Sequence, residues 1–190
     1  GSALFSHLDR IDGQSFHDFV NELKLANDYR GAEGLGWAKV VPRAQVPAFE
    51  REMTRQSGAP FVVQPVLAAG QKYAVILTYV HPMNVQNQGG MGFDLLSDKV
   101  RHKAIVASAA GERPVASGKI ALVQGAGLRP PGFVISMPVF EAGSGGKNVR
   151  GFLLSAFSAQ KFLDSVLHKE PLDGYGIRLY DHSIAPANLL

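Results

Sequence analysis

The chain has 190 residues, 46% of them hydrophobic and 18% charged, which fits a globular protein of one domain or two small lobes and excludes a disordered or fibrous chain. Its net charge of +3 is spread thinly, and the densest basic stretch, Arg101-His102-Lys103, is one turn long. The electrostatic footprint of a nucleic-acid binder is therefore missing, and a solvated helix face accounts for the triplet. No cysteine is present, which removes disulfides, thiolate metal sites and a catalytic thiol. No run approaches the roughly 18 apolar residues needed to cross a bilayer. Gly1-Ser2 reads as a cloning remnant on an excised fragment, from which a signal or membrane anchor could have been cut.

In chain order, Ser15 with Asp18 three residues on resembles a helix start, and Phe16, Phe19, Val20 and Leu23 share one helical face. After Gly31, Gly34 and Gly36, a second helix is expected from about Arg43 to Gln56, with Val46, Phe49 and Met53 inward and Gly58 as its stop. Phe61–Val66 and Tyr73–Val80 read as strands, and in the second the two-residue period puts Tyr73, Val75, Leu77 and Tyr79 on one face. A loop rich in Gly, Asn and Gln runs to Gly92, and Ser97 is expected to cap a helix with Val100, Ala104 and Ala107 inward and Gly111 as its stop.

Lys119–Gln124, Gly132–Phe140 and Gly151–Phe157 are further strand candidates, joined by Gly- and Pro-rich loops of the kind found between antiparallel neighbours. Ser158 caps a helix carrying Phe162, Leu163, Val166 and Leu167, and a last strand is expected over Gly176–Tyr180. Strands with interspersed helices and short connections give an α+β arrangement, an antiparallel sheet flanked by helices.

Motif-like stretches carry little chemistry. "IALVQGAGLRPPG" places Gly125-Ala126-Gly127 after a strand, but Pro130 and Pro131 block the helix that a dinucleotide-binding turn needs, so it reads as a loop. "EAGSGGKN" has Glu141 where a phosphate-cradling loop starts with glycine and Asn148 where Ser or Thr would ligate magnesium, so it reads as a flexible surface turn. His7, His17, His81, His102, His168 and His182 are scattered without ligand spacing and read as ordinary surface histidines. No serine stands in a Gly-x-Ser-x-Gly elbow. The stretch "GGMGFDLLSDKVRHKA" sets Asp94 between Phe93 and Leu95, where an ionised carboxylate either faces water beside the helix that follows or awaits a partner. Ser136 is the small polar residue of the apolar strand "FVISMPVF", and its hydroxyl either bonds locally to backbone or offers a contact to a guest.

The order of five segments resembles a CHASE domain, the extracytoplasmic sensor module of cytokinin receptors and many bacterial membrane signalling proteins. They are "GLGWAKVVPRAQVPAFEREM" (Gly34–Met53), "YVHPMNVQNQGGMGFDLLSDKVRHKAIVASAAGERPVASGKIALVQ" (Tyr79–Gln124), "GFVISMPVF" (Gly132–Phe140), "RGFLLSAFS" (Arg150–Ser158) and "IRLYD" (Ile177–Asp181). The resemblance implies a PAS-like fold in which residues 3–36 end a stalk as an N-terminal helical segment. Residues 37–158 would form a membrane-distal ligand-binding lobe, and 159–190 would begin a partial or shortened membrane-proximal lobe.

By the same resemblance Asp94 matches a pocket aspartate that receives hydrogen bonds from an adenine ring, staying unsatisfied until a planar ligand with N–H donors arrives. Ser136 matches a pocket threonine, Val115 a leucine whose backbone meets the ligand, and Phe157 a pocket aromatic. Phe133 and Tyr79 join them as strand aromatics that are core first and pocket second. The implied partners are a small organic ligand, adenine-type among the candidates, and a second copy in a homodimeric receptor. No metal, cofactor or nucleic acid is implied, membrane attachment would lie outside this chain, and the output would be an absent cytoplasmic histidine kinase or diguanylate cyclase. The alternative from another class is a dimerisation or partner-protein platform with no small ligand.

Overall fold

The computed structural model describes residues 11–23, 31–122, 130–146, 148–167 and 176–190. The elements are α1 (Gly13–Glu22), β1 (Ala32–Pro42), α2 (Val46–Ser57), β2 (Tyr73–His81), the one-turn α3 (Val85–Gln88) and α4 (Lys99–Gly111). They continue with β3 (Val115–Ala116), β4 (Ile120–Ala121), β5 (Pro131–Phe140), β6 (Val149–Ser158) and α5 (Ala159–Leu167). The strands form one curled antiparallel sheet in the order β2-β1-β6-β5-β3, with β4 also on β5. This is an α+β, PAS-like sheet flanked by helices.

β1 is the strand that periodicity missed. It begins at Ala32, inside the stretch read as helical, and runs second in the sheet between β2 and β6. Its glycines looked like a break, yet they mark close approach: a Cβ on Gly34 would lie 2.5 Å from the His81 carbonyl oxygen, and one on Gly36 2.8 Å from Leu77 Cδ1.

The long strands β1, β2, β5 and β6 feed cores on both faces of the sheet. On one face Ala38, Val75, Val134, Phe152 and Leu154 pack with Leu95, Ile105, Ile120 and Leu122 beneath α4. On the other, Trp37, Val139 and Leu153 receive Phe16, Phe19 and Val20 of α1, and Val41, Ala74 and Ile76 receive Val46 and Met53 of α2. The expected single face of β2 breaks near its end. The β1–β2 register slips between Trp37 and Ala38, leaving Thr78 as an extra residue, with its hydroxyl donating to the Ile76 carbonyl at 2.8 Å. That bulge reverses the alternation, so Tyr79 turns to the α1 side, where it stacks on Phe16 with centroids 6.0 Å apart.

Helix boundaries moved by a few residues for chemical reasons. Asp12, not Ser15, caps α1; Ser15 is its capping-box partner, the Ser15 amide donating to Asp12 Oδ1 at 2.9 Å and the Asp12 amide to Ser15 Oγ at 3.0 Å. α2 ends as expected, at Gly58 with φ 69°. Asp98, not Ser97, caps α4, and its buried face is Arg101, Ala104, Ile105 and Ser108. Val100 and Ala107 are exposed, so the basic triplet is not wholly a solvated face. Phe61–Val66 is no strand: Pro65 has no N–H, and Gln64 makes a lone bridge to Phe93. Of Lys119–Gln124 only Ile120–Ala121 pairs within the described residues, and in Gly176–Tyr180 only Tyr180 bridges, to Leu189. Gly125–Gly127 lies outside the described residues. The stretch after Glu141 is the turn joining β5 to β6, closed by the Glu141 amide on the Asn148 carbonyl at 2.9 Å.

Trp37 is 1% exposed because the backbone of β6 comes up against its ring at Gly151. A Cβ there would lie 2.5 Å from two ring carbons and 2.5 Å from the Ala38 carbonyl oxygen. Gly151→Ala is therefore expected to destabilise the fold by about 1–3 kcal/mol, as overpacking does. In a urea titration the midpoint should fall with the slope unchanged; an unmoved midpoint would mean that the strand relaxes freely there.

Candidate functional site

A cavity of about 90 Å³ opens on the α4 face of the sheet. Leu77 and Val80 of β2, Gly36 of β1, Val134 of β5, and Leu154 and Ala156 of β6 supply its sheet side, and the bulge at Thr78 is what turns both Leu77 and Val80 toward it. Phe93, Leu95, Arg101 and Leu122 close it from the other side, and half-buried Glu33, Gly34 and Asn87 border its opening. Glu33 pairs with Lys161 of α5 at 2.7 Å, and the Asn87 amide donates to the Pro82 carbonyl at 2.9 Å. A wider, polar groove of about 690 Å³ lies on the opposite face, bordered by Lys39, Glu52, Gln56, Tyr79 and Arg150 among others. Among the described residues no group of three His, Asp or Glu is placed to hold a metal ion.

Asp94 is 1% exposed and fully partnered. Oδ1 accepts the amides of Val75 at 3.0 Å and Leu96 at 3.1 Å, and Oδ2 accepts the Gln71 carboxamide at 2.6 Å. It therefore neither faces water nor stands unsatisfied. It completes the free edge of β2: the Leu77 amide donates to the Phe93 carbonyl at 3.0 Å and the Gly92 amide to the Leu77 carbonyl at 2.9 Å. Outside these, Gln64 pairs with Gly92 and Asp94 at 2.9 and 2.8 Å. Phe93 and Leu95, on either side of it, both line the cavity.

Val115 and Ser136 fall into one row of directly opposed residues across the sheet, Val115–Ser136–Leu154–Gly36–Val80. The last three line the cavity, so the first two continue the same face across the next strands without bordering the space. Ser136 is 3% exposed, and its carbonyl accepts the Ser108 hydroxyl at 2.8 Å. Phe133 and Phe157 are opposed three positions along and point to the other face. They stack with centroids 5.1 Å apart and meet the edge of Phe162 of α5. Tyr79 also lies on that other face. The six residues therefore divide among the cavity face, the opposite face and the β2 edge.

Arg101 was missed as a site residue because it belongs to a basic triplet. It is 8% exposed, its guanidinium lies 5.4 Å from the centroid of the Phe93 ring, Nη2 donates to the Ala121 carbonyl at 2.6 Å, and Nη1 is 3.5 Å from Asp98 Oδ1. The signal was its spacing: residues 101, 104, 105 and 108 form one helical face, with a cation where an apolar residue is usual.

His81, at the end of β2, is the histidine that departs from the surface reading. Its Nδ1 is buried with no hydrogen-bond partner among the described residues, and the His17 ring of α1 stands edge-on with centroids 5.0 Å apart. Burial first, and the nearby His17 charge second, push its pKa below the ordinary 6.5.

A curled sheet with an apolar cavity let into one face is the build of a PAS-like sensor lobe. The chain belongs to the CHASE domain family, whose model matches residues 9–190. CHASE domains are extracellular, non-catalytic sensor modules of membrane receptors that bind small ligands. No curated protein matches the chain. No helix among the described residues is long and apolar enough to cross a membrane.

Two predictions follow from these groups. Asp94→Ala leaves two backbone amides and the Gln71 carboxamide without their acceptor, at about 1–3 kcal/mol per buried group. Gln71→Ala should cost less, and a double-mutant cycle should give a coupling of at least about 0.5 kcal/mol, read from chemical denaturation; additive losses would mean that the 2.6 Å bond carries no energy. For His81, a lowered folded-state pKa means that the unfolded chain binds the extra proton first, so its contribution is lost as pH falls from 6.5 toward the folded value. The melting temperature should drop over that range, and the drop should shrink in His81→Gln; an equal drop would assign it to other groups.

Proposed function

We propose that this domain captures a small organic ligand in the cavity between the sheet and α4 and passes its presence to α1. The single observation that carries the reading is the cavity itself, an apolar space with few polar groups on its border, set in a sheet whose strands otherwise pack tightly on both faces. The route to α1 is short. On β6 Leu154 lines the cavity while Leu153 packs on the α1 cluster, and on β1 Gly36 and Trp37 divide in the same way. A ligand that separates these strands slightly must move the surface on which Phe16, Phe19 and Val20 rest. In a receptor this would alter the helix entering the domain and, through it, a cytoplasmic output; it does so only if the ligand binds the two arrangements unequally.

An adenine-type ligand bonded to Asp94 is the narrower form of the proposal. It would have to displace the Gln71 carboxamide from Oδ2 and enter from the β2 edge, away from the cavity. The platform alternative has exposed Val62 and Val66 in its favour, 61% and 89% accessible on the loop after α2.

The test is melting temperature across adenine, N6-substituted adenines, amino acids and short carboxylic acids, for the native chain and for Ala156→Phe, which fills the cavity. A ligand at a hundred times its Kd should stabilise the native chain by about 2.7 kcal/mol and leave Ala156→Phe unmoved. A shift that survives in the filled variant would place binding elsewhere, and no shift with any compound would favour the platform.

A further inference from the structure

We infer that the cavity's ligand is a compact, neutral, apolar molecule of about four to six carbons, held by shape and by the exclusion of water rather than by a charge or hydrogen bond from the wall; this rests on the cavity being the ligand site. Its walls are made by Leu77, Val80, Phe93, Leu122, Val134 and Leu154, none of which has a polar side-chain atom. Three side chains on the border carry charge or an amide, and each is bonded within the protein. Glu33 pairs with Lys161 of α5 at 2.7 Å, and the Asn87 carboxamide donates to the Pro82 carbonyl at 2.9 Å. Arg101 donates to the Ala121 carbonyl at 2.6 Å, pairs with Asp98 at 3.5 Å and lays its guanidinium over the Phe93 ring. The backbone at the border is engaged as well: Leu35 and Gly36 are paired with β2 on one side and β6 on the other, and the Gly90 amide donates to the Asn87 carbonyl at 3.1 Å.

A polar group that enters such a space gives up its water and finds little to replace it, whereas each methyl or methylene gains by leaving water. An anion drawn toward Arg101 has to compete with Asp98 and the Ala121 carbonyl, and a cation drawn toward Glu33 has to compete with Lys161. Size narrows the class further. The sheet side of the space is kept open by small residues, Gly34, Gly36 and Ala156, and a Cβ on Gly36 would already lie 2.8 Å from Leu77 Cδ1. An apolar cavity of about 150 Å³ stays dry and accepts benzene, so one of about 90 Å³ suits a branched aliphatic molecule smaller than that ring. A purine, with polar nitrogens around its rim, fails on size and on polarity together.

The decisive comparison is a series of one shape: isopentane, isobutanol and isobutylammonium carry a methyl, a hydroxyl and an ammonium group at the same position. Benzene serves as the larger probe, and binding is read by ligand-observed NMR and melting temperature. Isopentane should bind the native chain on the order of 10- to 100-fold more tightly than isobutanol, the cost of a hydroxyl left without a partner, and isobutylammonium should bind more weakly still. Ala156→Phe should abolish binding of the whole series. Val80→Ala, which enlarges the space at the end of β2, should raise the affinity for benzene relative to isopentane, and that change locates the site if Ala156→Phe does not fold. A ratio unmoved in Val80→Ala would overturn the size limit. Isobutanol or isobutylammonium equalling isopentane, with loss in Ala156→Phe, would overturn the neutral apolar class while leaving the cavity as the ligand site. Adenines, amino acids or short acids binding there in place of isopentane would overturn the class in the same way. Isopentane binding that survives in Ala156→Phe would overturn the site itself, and no response to any compound would overturn both readings.

Discussion

The free edge of β2 is the part of the sheet that no neighbouring strand covers, and Asp94 is central to closing it. An edge strand offers a row of amides and carbonyls that must be paired, covered or hydrated. Here the segment 92–94 takes that place for three residues, and where its own backbone turns away the Asp94 carboxylate continues the ladder by accepting the Val75 amide. The same oxygen accepts the Leu96 amide and so starts the turn that leads into α4. One side chain thereby sets the position of Phe93 and Leu95, and with them a wall of the cavity. The acid in apolar company is explained by this bonding whether or not a ligand is bound.

The cavity depends on a second local feature, the extra residue at Thr78. Without it, strict alternation would put Tyr79, a large aromatic, where Val80 now stands, and the space beside Leu77 would be filled. With it, the aromatic goes to the α1 core and a smaller valine faces the cavity. Bulges recur next to binding sites because they re-aim one side chain without breaking the sheet. The residue satisfies its own hydroxyl on the Ile76 carbonyl at 2.8 Å, so the irregularity leaves no unpaired polar group there.

Much of this was legible where the sequence follows one rule at a time. The stop of α2 at Gly58, the long β5 and β6 strands, and the amphipathic α1 follow from capping and periodicity, and the order of segments pointed to the CHASE family. What was not legible involves competition between distant groups. Gly34 and Gly36 read as a break because the closeness of His81 and Leu77 is a tertiary fact. Phe133 and Phe157 alternate correctly along their strands, but periodicity cannot say which face bears the cavity and which receives Phe162. Asp94 was singled out for the right reason, the cost of an isolated charge; its partners come from residues 71, 75 and 96, and only the backbone path of the β2 edge brings all three to it.

Asp94, set between two residues that line the cavity, and Arg101, on its border, illustrate how context decides chemistry. The Asp94 carboxylate accepts from three donors within the protein, two backbone amides and the Gln71 carboxamide. Arg101 lies buried on the cavity border, with its guanidinium over the Phe93 ring, bonded to the Ala121 carbonyl and 3.5 Å from the Asp98 carboxylate. A chain read only by residue type would assign recognition to the acid and solvation to the base. Burial changes both readings, because each charged group is bonded within the protein and helps to fix a wall of the cavity.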